Sequence, residues 1–248
     1  MRVAALYDIH GNAPALEAVL EELRRERVDQ VIVGGDVFPG PMAIEALELL
    51  LALDLPVRFL HGNGDRVVLD IAEGRDTDPI PAAHRPAIEW VARQLRAEDR
   101  RLLRSWPDTV RLQIDGVGDV LFCHATPRND RDIFTRLTPE VKLTSAFAST
   151  GAPFIVCGHT HMQFDRRVAG VRVVNAGSVG MPFGEPGAYW LSIGPELRLR
   201  RTEYDLAAAA QRIRATAYPE AEEFATRCIL QPPPDQVMLE IFAASELS

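Results

Sequence analysis

Residues 3–12 read Val3-Ala4-Ala5-Leu6-Tyr7-Asp8-Ile9-His10-Gly11-Asn12. An apolar run this short, closed by polar residues and a glycine, reads as a buried strand with its chemistry at the carboxyl end. The same sentence is written four more times along the chain. Val31–Val33 passes through Gly34-Gly35 into Asp36, and Val57–Leu60 leads to Asn63. Val120–Cys123 leads to His124, and Phe154–Cys157 leads to His159 and His161.

Helical patterns fill the gaps. Pro14 suits a first helical turn, and Leu16, Val19, Leu20 and Leu23 then repeat at helical spacing, as do Ile44, Leu47 and Leu51. Strand–helix–strand alternation implies parallel pairing with right-handed crossovers, and such sheets bind ligands beyond the carboxyl ends of their strands. Two carboxylates, one amide and four imidazoles are thereby expected along a common edge.

The rest of the chain is read more coarsely. Residues 66–107, with Pro79, Pro81 and Pro86 ahead of Ile88, Val91, Leu95, Leu102 and Leu103, predict a helical insertion. It serves either as a cap beside the site or as packing on the flank of the sheet. Val110–Ile114 and Val117–Cys123 around Asp115-Gly116 predict a hairpin. Val168–Val174, Tyr189–Ile193 and Leu197–Arg201 continue the β pattern. Residues 205–248 predict a C-terminal helical extension, broken at Pro232-Pro233-Pro234 and ending in a final strand at Val237–Phe242. The whole, 1–248, reads as a single domain.

Composition removes several function classes. The 248 residues carry 35 acidic against 27 basic side chains, a net charge of −8. That balance argues against bulk nucleic acid, which needs a basic footprint, while leaving nucleotides open as small substrates. Three cysteines, none in a Cys-x-x-Cys pair, and Asp8 directly after Met1–Tyr7 lead us to expect a reduced, cytoplasmic protein. The most apolar stretch, Ala46–Leu53, is broken by Glu48 and falls short of the ~18 residues of a membrane span. Lys142 is the sole lysine, so the chain has no Gly-Lys-Ser/Thr phosphate loop and is a poor candidate for Schiff-base chemistry.

Oxygen and imidazole donors without thiolate suit Mn²⁺, Fe, Co²⁺, Ni²⁺ or Zn²⁺ better than Mg²⁺ or Ca²⁺. Seven donors are too many for one tetrahedral ion and fit two, provided that one carboxylate bridges them. Two ions roughly 3.5–4 Å apart generate hydroxide near neutral pH and clamp the oxygens of an in-line displacement, a fit for phosphoester hydrolysis.

Asp8-Ile9-His10, Gly34-Gly35-Asp36, Gly62-Asn63-Gly64-Asp65, His124 and Gly158-His159-Thr160-His161 resemble the ordered motifs of the calcineurin-like metallophosphoesterase superfamily. The resemblance implies an α/β fold, a four-layer α/β/β/α sandwich. It implies two divalent ions per chain, Mn²⁺ favoured. One is held by Asp8, His10, Asp36 and His161, and the other by Asp36, Asn63, His124 and His159, with Asp36 bridging. Asp36, Asn63 and His124 are then the residues closest to the reaction, in which a hydroxide held by the ions attacks phosphorus in line.

One departure is informative. Many phosphatases of the superfamily carry Gly-Asn-His-Asp/Glu, whose His binds phosphate and protonates the leaving group; here that position is Gly64. General-acid help to a poor leaving group, typically a factor of 10²–10⁴, is lost; the resemblance to bacterial and archaeal members lacking that His, which look like phosphodiesterases, implies a phosphodiesterase, and a His restored at 64 would be expected to raise monoesterase activity. A phosphomonoesterase, a protein serine/threonine phosphatase, a diadenosine tetraphosphatase-like hydrolase and a non-catalytic scaffold on the same fold are the alternatives. The expected partner is a small phosphoester or nucleotide, with a homo-oligomer as a further expectation.

Other polar residues receive lesser roles. Asn12 and Arg128 are expected to contact substrate, with Arg66 and Arg131 as further phosphate clamps. Asp65 supports the Asn63 turn, and Asn175, in Asn175-Ala176-Gly177-Ser178, orients the neighbouring imidazoles. His61 and His84 are read as surface or supporting residues, and Cys123 and Cys157 as buried thiols.

Overall fold

The computed structural model describes residues 1–77, 80–148 and 150–247. In chain order the elements are β1 (Val3–Leu6), α1 (Ala13–Glu26), β2 (Gln30–Val33), α2 (Ala43–Leu51), β3 (Val57–Phe59), α3 (Asn63–Ala72), α4 (Arg85–Ala92) and α5 (Ala97–Arg104). There follow β4 (Thr109–Ile114), β5 (Gly118–Cys123), α6 (Glu140–Phe147), β6 (Phe154–Cys157), β7 (Phe164–Val168), β8 (Val171–Asn175), β9 (Ala188–Ile193) and β10 (Arg198–Thr202). The chain closes with α7 (Leu206–Arg214), α8 (Ala221–Phe224), a π-helical turn (Ala225–Leu230) and α9 (Asp235–Ala243).

Two five-stranded sheets form, ordered β10-β9-β1-β2-β3 and β4-β5-β6-β8-β7. Alternation of side chains along each strand stacks them into four layers. Ala4 and Leu6 join Val31, Val33 and the apolar faces of α1, α2, α3, α4 and α7. Val3, Ala5 and Tyr7 face the other way, meeting Ile32, Val120, Phe122, Phe154 and Val156 between the sheets. Leu121, Cys123, Ile155 and Cys157 then pack on Leu143 and Phe147 of α6. A strand covered on both faces needs apolar residues at every position, which is why the sequence shows unbroken runs. Each Val or Leu fully buried in this way is worth about 1.5–3 kcal/mol.

Three expectations need correction. The sheets are mixed: β1, β2 and β3 are parallel, as are β5, β6 and β8, whereas β4, β7, β9 and β10 run antiparallel to their neighbours. The stretch Val168–Val174 is not one strand: it takes in the last residue of β7, a reversal at Ala169-Gly170, both in the left-handed region, and Val171–Val174 of β8. The expected final strand at Val237–Phe242 is part of the helix α9. Pro234 precedes its first turn and Asp235 stands within it, favourable placements at a helix N-terminus. Leu239 is buried while Val237 and Ile241 are exposed, so the β-branched residues that suggested a strand face outward.

The insertion is helical, as expected. Ala87, Val91, Leu95 and Leu103 pack into the same apolar layer as α1 and α2, and part of it also walls the cleft described below. Pro79 lies outside the described residues.

Candidate metal centre

At the carboxyl ends of β1 and β2 the backbone pairing continues past the strands: Asp8 N donates to Gly35 O (3.1 Å), His10 N to Asp36 O (2.9 Å) and Gly11 N to Val37 O (3.0 Å). The chain turns sharply to do this. Seven non-glycine residues among those described have positive φ, and five of them are Asp8, His10, Asp36, His159 and His161. The other two are Arg27, at the end of α1, and Ala169, in the β7–β8 turn. Such backbone is costly and persists where the surroundings over-determine it, commonly at functional sites.

The side chains so aimed meet. Asp36 Oδ2 lies 3.6 Å from His10 Nε2 and 3.6 Å from His124 Nε2, and Asp8 Oδ1 lies 3.9 Å from each of the same atoms. His161 Nε2 is 3.3 Å from Asp8 Oδ1 and 3.3 Å from His10 Nε2. Two overlapping donor groups result, Asp8–His10–His161 and Asp8–Asp36–His124.

The outer nitrogens are fixed by backbone carbonyls: His10 Nδ1 by Pro39 O (3.3 Å), His124 Nδ1 by Gly34 O (2.9 Å) and His161 Nδ1 by Met181 O (2.7 Å). A proton placed there leaves each Nε2 as a lone pair facing inward. His159 is turned the other way, donating to the Arg131 carbonyl and presenting Nδ1. One terminal atom of the Asn63 amide lies 3.1 Å from His124 Nε2 and 3.0 Å from His159 Nδ1. With the amide nitrogen there it donates to both imidazoles, and with the oxygen there three lone pairs converge as ligands to a cation would.

The carboxylates tell the same story. Asp8 Oδ2 accepts from His159 N (2.8 Å), while Oδ1, fully buried, has no hydrogen-bond partner. Asp36 Oδ1 accepts from Gly64 N (2.8 Å), leaving Oδ2 to the site. Burial, and then the charge of Asp8, hold the Asp36 pKa well above the ordinary value. Burial pushes Asp8 up as well, but the imidazoles of His161, His124 and His10 bring it below the usual range. Burial, with a neighbouring imidazole in each case, lowers His10 and His159 to about 3. For His161 burial acts downward and the Asp8 charge outweighs it, so its pKa is raised. Imidazole nitrogens aimed at buried carboxylates, one carboxylate oxygen unpartnered, fit divalent cations.

Supporting residues are equally placed. Asp65, fully buried, accepts from Asp36 N (2.7 Å), Phe38 N (3.0 Å) and Gly62 N (3.0 Å), tying the β2 loop to the start of α3. Burial and the Asp36 charge push it up to about 7. Asn175 Nδ2 donates to Gly158 O (2.7 Å) and Thr160 Oγ1 (3.1 Å), and its Oδ1 accepts from Gly177 N (2.9 Å), which holds the turn bearing His159 and His161.

Two expected substrate contacts are differently employed. Asn12 is fully buried, its Oδ1 capping α1 at Ala15 N (3.2 Å) and its Nδ2 donating to Gly180 O (2.9 Å). Arg128 stands on the rim of a cavity that His124 also lines, with its guanidinium on Asp132. Arg66 is held by Asp130 and Asp108, and Arg131 pairs with Asp130. His61 is buried against Trp106, and burial together with Arg66 lowers its pKa to about 4. His84 is exposed and bonds Glu220. Cys123 and Cys157 are buried thiols with raised pKa values, burial being the main cause.

Gly64 is more than a missing imidazole. A Cβ there would lie 2.5 Å from Phe38 O and 2.9 Å from Pro39 Cδ. Backbone already fills the space, so a His at 64 displaces the Phe38 carbonyl and the simple restoration expected from sequence has no room. Gly62 is tighter still, its Cβ position 2.1 Å from Asp36 Oδ1.

Sequence reading missed Met181 and Phe183. Met181 supplies the carbonyl under His161, and Phe183 stacks on the His161 ring, centroids 5.3 Å apart at 19°. Their only signal was position, directly after the Asn175–Ser178 turn; a backbone carbonyl leaves no mark in residue type.

This fold with this donor set defines a protein of the metallophosphoesterase type. A sequence model of the calcineurin-like phosphoesterase superfamily domain matches residues 1–193, and the chain belongs to that superfamily. Among similar proteins is the uncharacterized MJ0912 of Methanocaldococcus jannaschii, 27% identical over 239 residues, covering 88% of this chain and 94% of that one. A crystal structure of a metallophosphoesterase from Sphaerobacter thermophilus superposes with a TM-score of 0.72 at 29% identity, over 92% of this chain and 98% of the other. The hypothetical protein PH1004 of Pyrococcus horikoshii shares the fold, with a TM-score of 0.76 at 23% identity over 94% and 99% of the two chains. No helix among the described residues is long and apolar enough to cross a membrane.

Proposed function

We propose that this chain is a phosphodiesterase working with two divalent cations, manganese first among them. Asp8, His10, Asp36 and His161 would hold one and Asp36, Asn63, His124 and His159 the other. The observation that carries the reading is the convergence of His10, Asp36, His124 and His161 around Asp8, whose Oδ1 is unpartnered. When bound, the cations supply Lewis acidity and a nucleophile at neutral pH.

The protein's own groups do the positioning. Backbone carbonyls at Gly34, Pro39 and Met181 lock three rings so that their lone pairs do not rotate away. Asp65 holds the Asp36 backbone N–H, and Gly64 N donates to the Asp36 carboxylate from behind. The diester preference follows from Gly64. With no imidazole at position 64, a doubly charged monoester loses a cationic partner and a proton source, whereas a singly charged diester needs less of the first.

Purified protein should hydrolyse bis(p-nitrophenyl) phosphate with added Mn²⁺, faster in kcat/KM than p-nitrophenyl phosphate. Asp36→Asn and His124→Ala should each cost about 10²-fold or more, since a cation contributes several kcal/mol to the transition state. Undiminished turnover in both variants would overturn the metal reading, and a monoester preference would overturn the diester one.

A further inference from the structure

We infer that the cavity beside the metal donors receives an uncharged, apolar ester arm of the substrate, and that the segment beyond residue 193 selects it. This rests on the phosphodiesterase reading, in which phosphorus sits at the donors and one arm must project from them.

A cavity of about 610 Å³ opens directly on His10, Asp36, Asn63 and Gly64. Small-molecule sites typically span about 300–1,000 Å³, so the space is sized for far more than a phosphate group. Its near wall is apolar, with Val67 from α3 and Ile80, Pro81 and Ile88 from the insertion. Its far wall is apolar as well, built from Phe183, Tyr218, Phe224, Met238 and Ile241.

The charges at the mouth are spoken for. Glu220 faces His84 at 3.0 Å, and Glu223 faces Arg227 at 3.5 Å. A second anionic group on the arm would gain no unpaired cation there, whereas an alkyl or aryl group removes apolar surface from water on both sides.

The far wall also has a distinct origin. The superfamily match ends at residue 193, and Tyr218, Phe224, Met238 and Ile241 all lie beyond it. Arg227 and Cys228 reach the cavity from the π-helical turn Ala225–Leu230. Such turns are rare within helices and recur at functional sites. Cavity, lining and local geometry therefore coincide at one place, and that place adjoins the donors.

The test compares methyl p-nitrophenyl phosphate with phenyl p-nitrophenyl phosphate on Mn²⁺-loaded protein. The leaving group is common to both, so their kcat/KM ratio reads only the retained arm. We expect the phenyl ester to lead by about tenfold or more, the scale on which an apolar pocket discriminates. Ile88→Trp and Ile241→Trp, filling the cavity from opposite walls, should bring the ratio close to one. Ile241 is 54% exposed, so the second variant puts little strain on the fold. Equal kcat/KM values in the unmodified protein, or a ratio unchanged in both variants, would overturn the inference.

Absence of any diester turnover would instead sink the phosphodiesterase reading. Calorimetric titration of the Mn²⁺-loaded protein with diphenyl and dimethyl phosphate then reads the cavity by itself. Diphenyl phosphate binding about tenfold tighter, with the difference lost in Ile241→Trp, supports the pocket; equal or undetectable binding refutes it.

Discussion

Asp36 is a carboxyl group that the metal-free fold does not welcome. It is almost fully buried, and Asp8 stands across the site. Its raised pKa means that the folded protein holds this proton more tightly than the unfolded chain does. Its contribution is therefore favourable below the ordinary carboxylate value of 3.8 and is lost as pH rises through the folded value. In chelated protein Asp36→Asn should equal or exceed the unmodified Tm at neutral pH, and its Tm should decline less on going from pH 4 to pH 7. The amide preserves the acceptor for Gly64 N and sets a donor toward the lone pairs of His10 and His124, 3.6 Å away in the carboxylate form. A lower Tm for the variant across that whole range would contradict this account. The trade is a familiar one, in which a functional site holds groups that stability alone would replace.

At the scale of elements, the loops after β1, β2, β3 and β6 are hydrogen-bonded to one another. Asp65 alone satisfies three backbone N–H groups from two segments. Asp65→Ala orphans all three in a buried setting, at about 1–3 kcal/mol for a single such group. A loss of about 2–4 kcal/mol is expected, seen as a lower urea midpoint with an unchanged slope; a loss below about 1 kcal/mol would show that the loops hold without it. Much of this architecture was legible in sequence, because strands buried on both faces must be continuously apolar and their ends must be polar. Asp8, Asp36 and His124 could hardly be elsewhere. What was not legible was carried by groups without side-chain identity, such as the carbonyls of Pro39 and Met181, or by positions already filled, as Phe38 O fills the space at Gly64. The helix α9 was misread because Val237 and Ile241 propose a strand while Pro234 and Asp235, just ahead of them, start a helix.

For the whole molecule, the donors form part of the stability balance. Anything that binds the folded state alone stabilises it by mass action, about 2.7 kcal/mol at a hundredfold excess over Kd. For a chain of this size each kcal/mol shifts Tm by roughly 2–4 °C. Saturating Mn²⁺ should therefore raise Tm by about 5–10 °C, chelator should reverse the shift, and Asp36→Asn should abolish most of it. An unmodified protein whose Tm ignores metal would argue that the donors do not act together. The sheet order couples the donors to the fold, since β1 is the central strand of one sheet and β6 of the other, with the donor-bearing β2 and β5 directly beside them.

All seven donors lie before residue 162, whereas most of the far wall of the cavity lies after residue 217. The donors and most of the far wall thus occupy separate stretches of the chain, while the near wall at Val67, Ile80 and Ile88 lies among the donors. Mutations in the last forty residues can reshape what is accepted without touching what reacts, and a lineage can explore new esters while inheriting its metal chemistry intact. Exchanging the C-terminal segment between relatives is the corresponding engineering move, with substrate choice travelling in the graft and the ions staying with the host.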